Sequence, residues 1–162
     1  MKKVYYTWQQ VEGACLDLSR QIVEDNWRPN YIVGIGRGGL VPATLLSHYM
    51  QVPMQTLDVS LRDGGVAVSN GSMAEDAYNG KNILVVDDIN DQGNTIAWIK
   101  QDWQSSALPN DPKWSQVWGG NVRFATLTDN WASNEIAHYT VWEVNKAEED
   151  CWLVYPWEDF WL

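Results

Sequence analysis

Between residues 11 and 22 apolar side chains recur at intervals of four, three and four (Val11, Cys15, Leu18, Ile22), which predicts an amphipathic helix in WQQVEGACLDLSRQIVEDN with Thr7 available as its cap. The pattern then changes. YIVGI (31–35) is a short β-rich run, and GRGG breaks it before LVPATLLSHYM. Pro42 is tolerable only in a first helical turn, so this helix is expected to begin just after the glycines. Residues 54–60 read as a second strand. RDGGVAVSNGSMAEDAYNG is rich in Gly, Ser, Asn and Asp with little periodicity, and predicts a long mobile loop over about 61–80. Residues 83–86 are apolar on both faces, as in a buried parallel strand, and 95–104 (TIAWIKQDWQ) read as a helix. SSALPNDPKWSQ is a connector with two prolines; VRFATLT and YTVWEV are late strands before the aromatic tail CWLVYPWEDFWL.

Strands alternating with helices predict an α/β fold, a mostly parallel central sheet flanked by helices, with ligands beyond the carboxyl ends of the strands. A chain of 162 residues, 45% hydrophobic, is expected to form a single domain, 1–162. Its net charge of −10 disfavours nucleic acid and anionic membranes as partners. MKKVYYTWQQ has no apolar stretch after its lysines and no window approaches a membrane span, so a soluble, cytoplasmic protein without integral membrane association is expected. Cys15 and Cys151 lie far apart, outside any C-x-x-C arrangement, and read as reduced packing residues. Most of the 11 tryptophans read as core or interface anchors.

The candidate chemistry lies at two strand-to-helix junctions, GRGG and DQGNT, where free backbone N–H groups and the helix dipole favour an anion. Arg37, a forked donor inside the first, suits a pyrophosphate. Before the second, ILVVDDINDQGNT places three carboxylates, Asp87, Asp88 and Asp91. Carboxylates repel phosphate, so they more readily address hydroxyls, a divalent cation or a proton, and the expected ligand carries both phosphate and sugar. Asp87 and Asp88 point to opposite sides of their strand. A competing role for Asp91 is capping the helix that follows.

GIGRGG satisfies G-x-G-x-x-G and, with Asp58 at a later strand end, resembles a Rossmann fingerprint, which gives no reason for the acids after Val86. KNILVVDDIN resembles the opening of a response-regulator receiver with Asp129 as phospho-acceptor, but too little chain follows for the remaining βα units. Both junctions are explained together by a third resemblance. ILVVDDINDQGNT looks like the phosphoribosyl-diphosphate signature of type I phosphoribosyltransferases, and YYTWQQVEGACLDLSRQI, GIGRGGLVPATLL and DCWLVYPWED are most similar to the bacterial xanthine-guanine members, over nearly the whole chain.

The resemblance implies the type I phosphoribosyltransferase fold, with a flexible hood loop at about 61–80 and a small base-binding segment at about 128–162. It implies that Asp91, Gln92, Gly93, Asn94 and Thr95 wrap a 5′-phosphate and that Arg37 and Gly38 contact the pyrophosphate, where the family often has a non-proline cis peptide. Asp87 and Asp88 would meet ribose hydroxyls and a substrate-bound Mg2+, with Asp88 the metal contact. Asp91 would act in catalysis beside the base, Trp152 would stack on it and the backbone of Leu153 would read its edge. The implied partners are phosphoribosyl diphosphate, a purine base, expected to be a 6-oxopurine, and further copies of the chain in a dimer or tetramer. Departures are visible. Asn94 stands where many members have Gly or Ala, Arg62 is the one cation of the hood before Lys81, and the connector LPNDPKWSQVWGG is longer. Asn130 takes the place of a lysine that reads the 6-oxo group; its amide can donate to an oxo group or accept from an amino group, so the base stays open. The competing functions are a non-catalytic nucleotide sensor on the same fold and, more distantly, an NAD-dependent dehydrogenase.

Overall fold

The computed structural model describes residues 1–59 and 69–158. Its elements run β1 (Lys2–Tyr5), α1 (Trp8–Glu24), β2 (Tyr31–Ile35), α2 (Gly36–Met50), β3 (Met54–Leu57), α3 (Gly71–Tyr78), β4 (Ile83–Asn90), α4 (Asn94–Ser106), α5 (Trp114–Val117), β5 (Val122–Asn130), β6 (Tyr139–Val144) and β7 (Cys151–Val154). β1 and β7 form a separate two-stranded pair, and the other five strands form one sheet in the order β3-β2-β4-β5-β6. Every pairing is parallel, as the alternating pattern predicted.

Alternation along the central strands divides the core. Ile32, Leu84, Val86, Ala125 and Leu127 face the side covered by α1 and α2, while Val33, Ile35, Ile83, Val85, Val122 and Phe124 face the side covered by α3, α4 and α5. A strand buried on both faces has no polar positions, which is why YIVGI and ILVV read as continuous apolar runs. The chain leaves β2 for β3 on one side and returns to β4 on the other, so the strand order reverses between β2 and β4. Their carboxyl ends open the crevice at which ligands of such sheets bind.

Local chemistry fixes the outer elements. Thr7 caps α1 in a reciprocal box, accepting from the Gln10 backbone at 3.1 Å while its own N–H donates to the Gln10 side chain at 2.8 Å. The four predicted apolar positions of α1 are fully buried. Three expectations need correction. The 61–80 segment is not loop throughout: Asn70 accepts from the Met73 backbone at 3.0 Å and starts α3, whose Met73, Ala74 and Ala77 are buried. Residues 60–68, with Arg62, lie outside the described residues. The α2 helix begins at Gly36 rather than after the glycines, because Gly36 at φ +52° turns the chain straight from strand to helix; Pro42 therefore sits in the second turn. Lastly, the connector contains α5, whose Trp114 is buried and donates from Nε1 to the Ala107 carbonyl at 2.8 Å.

Candidate active site

The two glycine junctions meet. In the first turn of α2 a Cβ on Gly38 would lie 2.5 Å from Oδ2 of Asp88, and one on Gly39 would collide with the Val86 carbonyl. Only glycine lets this helix start rest on the end of β4. The peptide bonds here are trans, as are all those of the described residues, so the expected cis peptide is not present. Arg37 is exposed in the same turn.

Pleating separates the acids. Asp87 follows Val85 on the α4 side and lines a cleft of about 260 Å³ with Asn90 to Ile96, Phe124 and Thr126. Asp88 points the other way, buried beneath Gly38, with Oδ1 accepting from the Ile89 N–H at 2.8 Å. Of the two carboxylates Asp87 lines this cleft, while Asp88, the expected metal contact, lies against the turn of Gly38. Tyr155 supports this strand end from the C-terminal segment, donating to the Thr128 hydroxyl at 2.9 Å and the Asp88 carbonyl at 3.2 Å. Burial, and after it the Asp88 charge, push its phenol well above the ordinary range, so it stays a donor.

The glycine turn before α4 is built as its composition implied, with one change. Gly93, at φ +91°, is the residue before α4 and carries the left-handed geometry, while Asn94 is already helical. No side chain caps this helix, so its first N–H groups are left for an anion. Asp91 is therefore not a cap. Its Oδ1 lies 3.1 Å from Nζ of Lys146. Asp91, Gln92 and Asn94 line a second, wider cleft of about 630 Å³ together with Asn130, Lys146 and Trp152, so Asp91 stands where the two clefts join.

Trp152 is 45% exposed on β7 and opens into this second cleft, in keeping with a stacking role, whereas the Leu153 side chain is buried and does not line it. Asn130 lines the cleft but is committed elsewhere. Its amide donates to the Asp91 carbonyl at 2.8 Å and to Oδ1 of Asp91 at 3.3 Å; its oxygen accepts from the backbones of Ala132 and Lys146, both at 3.1 Å. All four bonds of the amide are used, so it positions two loops rather than offering a free edge to a base. Sequence reasoning missed Lys146, whose signal was a lone cation inside VNKAEED directly before the aromatic tail. It also missed Asn90, which ties the β5–β6 loop under the site by donating to Oδ1 of Asp129 at 2.9 Å and to the Glu135 carbonyl at 2.8 Å.

Comparison with known proteins agrees with this geometry. The family described as phosphoribosyl transferase domain matches residues 2–154. Among curated relatives, hypoxanthine-guanine phosphoribosyltransferase of Schizosaccharomyces pombe is 24% identical, with 96% of this chain and 89% of that protein covered. Xanthine-guanine phosphoribosyltransferase of Chromohalobacter salexigens is 27% identical over 94% of this chain and 82% of its own length. Among solved structures, a purine phosphoribosyltransferase from Pyrococcus horikoshii superposes with a TM-score of 0.70 at 27% identity, covering 99% of this chain and 97% of that one. Two anion-ready junctions, the acids between them and this match over nearly the whole length lead to one conclusion: the chain belongs to the phosphoribosyl transferase domain family.

Proposed function

We propose that the protein transfers the 5-phosphoribosyl group of phosphoribosyl diphosphate to a purine base, a 6-oxopurine by preference, releasing pyrophosphate and a nucleoside 5′-monophosphate in purine salvage. The observation that carries this reading is the position of Asp91, shared between a cleft lined by the phosphate turn and a cleft lined by Trp152. A donor sugar in the first and a base in the second would meet at that carboxylate.

The roles follow from the chemistry of each group. The 5′-phosphate is held by the backbone of Gln92, Gly93, Asn94 and Thr95 at the uncapped start of α4. Arg37 and the Gly38 backbone take the diphosphate. Asp87 accepts from ribose hydroxyls. In the reaction N9 of the base attacks the anomeric carbon, the carbon–oxygen bond to pyrophosphate breaks, and the leaving group takes the electron pair. A neutral purine that attacks through N9 carries its ring proton on N7, and Asp91 accepts that proton while its charge stabilises the cationic sugar. Trp152 stacks on the base, and the backbone of Leu153 reads its edge.

The donor set fits a magnesium ion carried on the substrate. Asp87 and Asp88 are hard oxygen donors at the strand end, with Asp87 the nearer to the cleft, and Mg2+ binds through one or two carboxylates together with substrate phosphates. When bound, it supplies positive charge to the departing pyrophosphate.

We take 1–162 as one transferase domain with a hood drawn from 61–80 and a base-binding segment at 128–162, acting in the cytoplasm. No helix of the described residues is long and apolar enough to cross a membrane. Assembly as a dimer or tetramer is supported by Leu16 and Val23, seven residues apart on one face of α1 and both exposed. The reading is tested by incubating purified protein with Mg2+, phosphoribosyl diphosphate and guanine, xanthine, hypoxanthine or adenine in turn. Release of pyrophosphate with at least one base supports it; none with any base refutes it.

A further inference from the structure

We propose that Glu135, on the loop between β5 and β6, is a positioning residue for an anion at the start of α4: its ion pair with Lys100 clamps that loop across the glycine turn and fixes the direction of the Gly93 N–H. The inference rests on the transferase reading above and adds to it the group that holds the 5′-phosphate turn in shape.

Three consecutive residues of this loop grip three successive parts of the turn. The Ser133 hydroxyl donates to Oδ1 of Asn90 at the end of β4 at 2.8 Å, the Asn134 N–H donates to the Gln92 carbonyl at 3.2 Å, and the Glu135 carboxylate accepts from Nζ of Lys100 in α4 at 2.7 Å. The contact is close: a Cβ on Gly93 would meet the Cβ, Cγ and backbone nitrogen of Glu135 at 3.0 Å. The bond to Gln92 has a directional consequence. In a trans peptide the carbonyl and the following N–H point opposite ways, so a Gln92 carbonyl held by Asn134 turns the Gly93 N–H away from the loop. An anion at this helix start is bound through such N–H groups, and no side chain caps them. Gly93, at φ +91°, has no side chain to resist rotation of that peptide, so its orientation depends on the loop. Charge requires the same pairing. A carboxylate packed against an anion-binding turn repels the ligand unless a cation offsets it, and Lys100, partly buried like Glu135, is that cation.

The test measures, by calorimetry with Mg2+, binding of pyrophosphate and of the tighter-binding of guanosine and adenosine 5′-monophosphates to wild type, Glu135→Ala, Glu135→Gln and Lys100→Met. The nucleotide carries a 5′-phosphate, whereas pyrophosphate reports on the junction of Arg37 and Gly38. Glu135→Ala and Lys100→Met should each weaken the nucleotide roughly tenfold, the loss of one hydrogen bond to a charged group, while pyrophosphate binds as in wild type. Glu135→Gln, whose amide oxygen still accepts from Lys100, should keep most of the affinity. Should Glu135→Ala fail to fold, Lys100→Met breaks the same partly exposed pair from its other side and carries the comparison. If Glu135→Ala and Lys100→Met bind the nucleotide as wild type does, if they lose pyrophosphate to the same extent, or if Glu135→Gln is as weak as Glu135→Ala, the pair does not position the turn although the transferase reading stands. If wild type binds neither nucleotide, the transferase reading falls and this inference with it.

Discussion

The ammonium of Lys146 lies 3.1 Å from Oδ1 of Asp91, an ion pair between the loop after β6 and the loop after β4. It gives the carboxylate a partner from outside its own loop. Asp91 is thereby kept at the junction of the clefts rather than folded back onto the helix it precedes.

Asp91→Asn should separate catalysis from binding. The amide is nearly isosteric and can still accept from Lys146, so folding and affinity for a nucleoside monophosphate should change little. It is a far weaker base and carries no charge, so kcat should fall by roughly 10²–10⁴. Steady-state kinetics and calorimetry on one preparation check this, and unchanged turnover would support the nucleotide-sensing alternative.

Asn130→Ala should destabilise the fold and disorder the site together. It strands the Asp91 carbonyl and the backbone N–H groups of Ala132 and Lys146, all bonded to the amide in a residue that is itself buried. Leaving buried polar groups unpaired costs about 1–3 kcal/mol each, tempered here by partial access to water, so a loss of about 2–4 kcal/mol in urea unfolding is expected. A variant as stable as wild type would show that these bonds matter little.

The neighbouring glycines should respond differently to alanine. At Gly39 the new Cβ meets the Val86 backbone, which cannot move without displacing β4, so a loss of about 1–3 kcal/mol is expected. At Gly38 the Cβ meets the Asp88 carboxylate, a side chain that can shift at the expense of the strand end it supports. Gly38→Ala should raise KM for phosphoribosyl diphosphate more than it lowers the melting temperature, and Gly39→Ala the reverse.

His138 should make the protein acid-sensitive. Burial first, then the positive charges of Lys100 and Arg123, lower its pKa below the ordinary 6.5, and its Nδ1 accepts from the Phe124 N–H at 2.9 Å. The unfolded chain therefore takes up a proton near 6.5 while the folded chain does not. The stability His138 contributes is complete above that pH and is lost as pH falls from 6.5 toward the folded pKa. Urea midpoints compared at about pH 7.5 and about pH 5.5 should fall in wild type and fall less in His138→Gln.

Much of this was legible in the chain because it depended on local pattern. The central strands announced themselves as apolar runs, and α1 by its spacing and its Thr7 box. The glycine turn before α4 could be read because glycine, helix start and strand end are consecutive in sequence. What failed depended on distance. Asn130 was read as a base contact from its place in the family pattern, since its three partners, Asp91, Ala132 and Lys146, lie on three separate loops, and Lys146 was overlooked because Asp91, with which it pairs, is remote in sequence. The helix α3 escaped notice because its burial against α4 rests on three side chains in eight residues, too few to show a period. At Asp87 and Asp88 the opposite orientations were legible, but which side held the cleft required the positions of α2 and α4.

The central claim is phosphoribosyl transfer, and its most direct test follows both products at once. Purified protein is mixed with magnesium phosphoribosyl diphosphate and hypoxanthine or guanine, and nucleotide and pyrophosphate are separated chromatographically. Nucleoside 5′-monophosphate and pyrophosphate should appear in equal amounts, with the rate lowered by roughly 10²–10⁴ in Asp91→Asn. Absence of nucleotide with guanine, xanthine, hypoxanthine and adenine alike, from protein that is folded, would contradict it.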